Sequence, residues 1–180
     1  TGLVCNAYGR DGGLGGTPPP GVSTTPCPFS EGSAATNDTG VLDVGWVRQG
    51  AVVRQPLSPA GVNVLGYDGL RMRVAVVNDS RNTTRAKQDF TVVLEDADGA
   101  RAAALASTGT NGLARINPGL VQHAVLNGVR VPLASFTTVD LSRIRAVELR
   151  FDRTGAGRLS IADLAFTQEG TGAAPAMTAG

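Results

Sequence analysis

From residue 40 onward the chain is a succession of short apolar runs in which hydrophobic and polar positions alternate with period two. Leu70, Met72, Val74 and Val76 fall on one side of such a run and Arg71 and Arg73 on the other. Val147, Leu149 and Phe151 alternate in the same way with Ala146, Glu148 and Arg150. A period of two places successive side chains on opposite faces of a half-buried strand. The pattern predicts eight strands, near 41–47, 51–55, 69–77, 89–96, 101–105, 121–131, 144–151 and 157–167. Between FTVVLEDA and ARAAAL, Asp98 and Gly99 signal a two-residue hairpin, since both tolerate positive φ. No window carries a helical stripe, although 102–106 is rich in alanine. Eight short strands with turns between them predict an all-β fold, an antiparallel β-sandwich of the jelly-roll type.

An internal echo fits this scheme. VNVLGYDGLRMRV (62–74) aligns without gaps on VDLSRIRAVELRF (139–151). Each copy reads as a polar residue, Asn63 or Asp140, then a tight turn, then an alternating strand. The side chain of Asn or Asp can accept a hydrogen bond from the amide two residues on and so fix the turn. Tyr67 takes the place of Ile144 in this alignment, which predicts a packed ring with its hydroxyl at the surface.

The flanks differ. Residues 1–39 are rich in Gly, Pro, Ser and Thr and read as a loop-like lead-in, residues 40–168 as the β module, and residues 169–180 as a tail without period. The two cysteines, Cys5 and Cys27, both fall in the lead-in. A disulfide between them would stabilise by about 3 kcal/mol through loop closure and would suit an oxidising, extracellular setting. Two unrelated free thiols are the alternative. The chain starts at Thr1, which reads as a processed product or an excised module.

Composition narrows the partners. The 180 residues carry a net charge of +1, too little to attract nucleic acid. No run approaches the roughly 18 apolar residues of a membrane span, so none is expected. Lys87 is the single lysine, and the Ala, Gly, Val and Arg bias is that of GC-rich coding. Catalytic constellations are absent from the sequence. His123 is the single histidine, so a multi-histidine metal site is impossible, and no G-x-S-x-G or HExxH occurs. A noncatalytic chain is expected.

The stretch VRVPLASFTTVDLSRIRAVELRFDRTGAGRLSIADLAF (129–166) resembles the C-terminal half of galactose-binding-like jelly rolls, which include many carbohydrate-binding modules. Its marks are Val129 to Phe136, the Asp140-Leu141-Ser142 turn, and Gly157 to Phe166 with Asp163 before the last leucine. VVRQPLSPAGVNVLGYDGLRMRVAV (52–76) is similar to the matching N-terminal half, and the likeness extends to modules of secreted enzymes from GC-rich soil bacteria. The resemblance implies a secreted accessory module that binds a polysaccharide and adjoins a catalytic domain. It also implies a structural calcium ion, with Asp163 as a ligand and Asp43 as a nearby acidic candidate.

Candidate ligand residues follow. Trp46 is either a platform for a sugar ring or a core residue, and Tyr67 sits in the turn before the strand near 69–77, at the margin of the face. Arg71, Arg73, Glu148 and Arg150 point away from the apolar sides of their strands. If those strands share a sheet, the four form one polar binding face; the plainer reading is a solvated face with cross-strand ion pairs. A domain that packs on a neighbouring catalytic domain or partner protein is the competing function, and a small secreted hydrolase is the third. The segment EDADG (95–99) faintly suggests a calcium loop but lacks the rest of the ligand series and the terminal Glu, so the hairpin reading prevails, and sequons occur at Asn37, Asn78 and Asn82.

Overall fold

The computed structural model describes residues 42–82, 87–110, 112–113 and 126–168, and the backbone of residues 3–6. The Cys5–Cys27 pairing, His123 and the tail after Gln168 lie outside the described residues.

Nine strands are present among the described residues. They are β1 (Leu3–Asn6), β2 (Leu42–Trp46), β3 (Ala51–Pro56), β4 (Gly69–Val76), β5 (Thr91–Asp96), β6 (Arg101–Leu105), β7 (Asn127–Pro132), β8 (Ile144–Phe151) and β9 (Gly157–Thr167). Eight of these strands match those read from alternation, although of the span 121–131, residues 121–125 lie outside the described residues and β7 starts at Asn127, and β1 adds one from the N-terminal segment. They build a five-stranded sheet in the order β1-β2-β9-β4-β7 and a four-stranded sheet in the order β3-β8-β5-β6. Every pairing is antiparallel. From β2 to β5 each strand crosses to the other sheet, as in a jelly roll. No helix among the described residues is long and apolar enough to cross a membrane.

The inward residues of the two sheets meet in one core. Leu42, Val44, Leu70, Met72, Val74, Val129, Val131, Leu159 and Ile161 come from one sheet. Val53, Val92, Leu94, Val147, Leu149 and Phe151 come from the other. Burying a side chain of this size stabilises by roughly 1.5–3 kcal/mol.

Two turns behave as their residues dictate. Gly99 sits at φ 89°, and Asp96 Oδ1 accepts the amides of Asp98 (3.0 Å) and Ala100 (2.9 Å). This is the hairpin end that Asp98 and Gly99 predict, with the Asp96 carboxylate engaged by backbone N–H groups. The internal echo is also physical. Asn63 Oδ1 accepts Leu65 N at 3.0 Å, and Asp140 Oδ1 accepts Ser142 N at 2.9 Å. The two echoed segments also bond each other, since Val62 N donates to Ile144 O (2.7 Å) and Ile144 N to Val62 O (2.9 Å). Their equivalence stops there: Ile144 is fully buried, whereas Tyr67 is 45% exposed and tilts against Phe166.

One irregularity sets which side chains face the core. Between Arg71 and Arg73, β9 carries one residue more than β4, and Asp163 takes φ 53°. This bulge shifts the parity of β9, so Leu159 and Ile161 before it and Leu164 and Phe166 after it all pack on the core.

Candidate functional site

Strand parity placed Arg71, Arg73, Glu148 and Arg150 away from the core, and all four do point outward. They do not form one face. β4 belongs to the five-stranded sheet and β8 to the four-stranded sheet, so the pairs lie on opposite outer surfaces of the sandwich. Alternation tells a strand's inner side from its outer side, but not which sheet it joins.

On the four-stranded sheet the outer surface is an ionic lattice. Arg54 of β3 grips Glu95 of β5 with two bonds, of 2.6 and 2.9 Å. Arg145 Nε donates to Glu95 at 2.7 Å, and Arg101 approaches the same carboxylate at 3.3 Å. Glu148 is held by Arg150 at 2.8 Å and by Arg101. The bonds from Arg54 and Arg145 hold the Glu95 carboxyl down to about 2, well below the usual carboxylate range. Glu148 and Arg150 therefore belong to cross-strand ion pairs, and each of the four guanidiniums already has a carboxylate.

The outer surface of the five-stranded sheet has two regions. Around β2 and the start of β9, Asp43 and Arg158 are buried and pair at 3.1 Å, while Ser160 Oγ also donates to Asp43. The loop after β4 closes this region. Buried Asn82 donates from Nδ2 to Val77 O (2.6 Å) and Arg158 O (2.7 Å), and its Oδ1 accepts Arg158 N (2.8 Å). Asp79 receives Arg81 at 2.6 Å, which holds its carboxyl far below the usual range.

The second region, where β9, β4 and β7 run side by side, is open. Arg71 lies between Ala165 of β9 and Arg130 of β7, and Arg73 between Ala162 and Gly128. Arg73 pairs with Asp163, and Arg130 leans across Gly69 to reach Asp68 at 2.7 Å. Arg71 is exposed and has no side-chain partner among the described residues. Three guanidiniums and two carboxylates leave one positive charge here, centred on Arg71 and bordered by small side chains. Tyr67, at the entry to β4, is the nearby exposed aromatic in sequence. The structure thus keeps Tyr67, Arg71 and Arg73 on or beside one strand and adds Arg130 and Asp68. Arg130 was legible as the outward residue of Val129-Arg130-Val131, the same alternation that marked Arg71.

One sequence candidate, Trp46, is corrected. Trp46 is fully buried, stacks on Phe151 and donates from Nε1 to Thr154 O at 3.2 Å. Its ring faces the opposite sheet, so it offers no platform to a sugar. The two acids considered for calcium, Asp43 and Asp163, each already have partners in the structure. Asp43 is engaged by Arg158 and Ser160, and Asp163 by Arg73. No group of three or more metal-ligating side chains occurs among the described residues.

No family model matches the chain, and a search of curated proteins gives no match. Among solved structures, the chain is similar to a family 30 carbohydrate-binding module of a cellulosomal cellulase from Clostridium thermocellum. The TM-score is 0.51, with 11% identity, over 72% of this chain and 75% of that one. A second family 30 carbohydrate-binding module gives a TM-score of 0.51 and 12% identity over 77% and 72%. A family 11 module from Clostridium thermocellum gives a TM-score of 0.46 and 8% identity over 72% and 78%. The likeness is one of fold. This chain is an all-β sandwich with the jelly-roll architecture found in carbohydrate-binding modules.

Proposed function

We propose that the chain is a noncatalytic carbohydrate-binding module that holds its glycan on the outer face of β4, β7 and the C-terminal half of β9. The observation that carries this is Arg71, an exposed guanidinium with no side-chain partner among the described residues, bordered by exposed Ala165 and Gly128. Small exposed neighbours let a sugar approach the strands beside Arg71, whose guanidinium supplies the donors. The fold shared with modules of a cellulosomal enzyme supports the class. It also supports a place beside the catalytic domain of an extracellular hydrolase, a setting that suits the two cysteines.

Four of the acids are poorly suited to general acid or base work. A general acid or base works best with a pKa near the operating pH. Glu95 is held near 2, and Asp79, Asp96 and Asp140 all lie below the usual carboxylate range because arginines, backbone amides or Ser142 bond their charged forms.

Affinity electrophoresis against a panel of soluble polysaccharides, followed by calorimetry, tests the assignment. At least one polysaccharide should retard the wild type, and Arg71→Ala should weaken the retardation. No retardation by any polysaccharide would overturn the assignment. A second function, docking of a neighbouring domain, has its own observation: Val62 (39% exposed), Leu65 (64%) and Tyr67 (45%) share the loop between β3 and β4. Loss of solubility relieved by Leu65→Ser, with glycan binding absent, would favour it.

A further inference from the structure

Resting on that binding assignment, we infer that the glycan is anionic, with a carboxylate or sulfate group bound by Arg71. The register sets Arg71 directly opposite Arg130 across β4 and β7, and Arg73 lies two residues along on the same face. Like charges directly opposite each other on a sheet are destabilising. Asp68 draws off Arg130 and Asp163 draws off Arg73, but nothing among the described residues neutralises Arg71. An anion from a ligand would complete the set, because a guanidinium binds a planar carboxylate or a sulfate through paired charge-assisted bonds.

The rest of this region argues in the same direction. Its in-sheet neighbours are Ala162, Ala165, Gly69 and Gly128, so no ring lies within the face on which a neutral pyranose could stack. Trp46 is buried, and Tyr67 stands at the entry to β4 rather than within it. Charge-assisted bonds are therefore the larger available source of affinity. On the opposite surface the arginines are each bound to Glu95 or Glu148, so the same group would have to displace an existing partner there.

Calorimetry with four probes tests this: galacturonate oligomers, their methyl esters, a sulfated galactan oligosaccharide and a neutral mixed-linked β-glucan tetrasaccharide. The galacturonate or the sulfated probe should bind at least about tenfold more tightly than the methyl ester, the worth of one charge-assisted pair. That binding should weaken as salt rises, and which of the two probes binds identifies the anionic group. Arg71→Ala should lose about tenfold and Arg71→Lys less, because lysine keeps the charge but not the fork. Arg101→Ala, which removes an equal charge from the opposite surface, should stay within about twofold. The inference is overturned if the methyl ester or the β-glucan binds as tightly as the charged probes, or if Arg101→Ala costs as much as Arg71→Ala. Tight β-glucan binding that is lost in Arg71→Ala would overturn the anionic ligand while leaving the binding face intact. Failure of all four probes and of the polysaccharide panel would remove both.

Discussion

Trp46 of β2 and Phe151 of β8 stack with ring centroids 4.7 Å apart and planes inclined by 27°, joining the two sheets across the core. Phe90 extends the contact, with its ring 5.6 Å from Phe151. Gly157 lies opposite Trp46 on β9, where a Cβ would collide with the indole. Truncating a buried aromatic leaves a cavity, so Trp46→Ala should lose about 3–5 kcal/mol in urea denaturation. Because Trp46 is the single tryptophan, its fluorescence reports this place alone. Emission should be shielded from aqueous quenchers and unchanged by saccharide. Quenching of the folded protein by iodide would place the ring at the surface.

Glu95 gives the four-stranded sheet an acid-sensitive joint. Its carboxyl is lowered from 4.5 to about 2 by Arg54 and Arg145. A depressed folded-state pKa contributes stability that is complete above the unfolded value and fades as pH falls toward the folded one. The melting temperature should therefore decline between about pH 4.5 and about pH 2. Glu95→Gln should lose about 2 kcal/mol near neutral pH, typical of hydrogen bonds to charged groups, and flatten this decline. An unaltered pH profile in Glu95→Gln would show that the lattice does not act through Glu95.

Much of this architecture is legible in the chain, and the failures have physical causes. Alternation marked the inner and outer sides of β4 and β8, since burial demands it. Trp46 stays open between platform and core in the sequence reading, although the alternation of Leu42, Val44 and Trp46 with Asp43 and Gly45 already puts the indole on the inner side. The apolar positions of β9 change from odd to even numbers at Asp163, the mark of the bulge. What alternation lacks is long-range information. Arg71 and Glu148 are both outward, yet only the pairing of their strands separates them onto opposite surfaces. The same limit hid the partnership of Arg54 with Glu95, whose strands are separated by β8.

Asn82 shows why a sequon is not a site. Its amide donates to two carbonyls and accepts one N–H while fully enclosed. Asn82→Ala should cost about 1–3 kcal/mol by leaving buried polar groups unsatisfied, and Asn82→Asp at least as much. Mass spectrometry of protein from a glycosylating host should find Asn82 unmodified; a glycan there would contradict its burial.

The bulge at Asp163 makes a separate demand on the backbone. A β-branched residue is strained at φ 53°, so Asp163→Val should destabilise by about 1–3 kcal/mol. Asp163→Gly relieves the backbone and gives up only an exposed pair with Arg73, so it should stay within about 1 kcal/mol of wild type. Equal losses in the two variants would mean that the carboxylate, not the backbone, decides the position.

The most direct test of the binding face is a set of amide chemical-shift maps recorded by NMR during titration with galacturonate oligomers and, separately, the β-glucan tetrasaccharide. With whichever saccharide binds, the largest shifts should fall on Gly69–Arg73, Gly128–Arg130 and Ala162–Ala165, on the outer face of β4, β7 and β9. Shifts centred instead on Arg54, Glu95, Glu148 and Arg150 would place the ligand on the opposite surface and contradict the account.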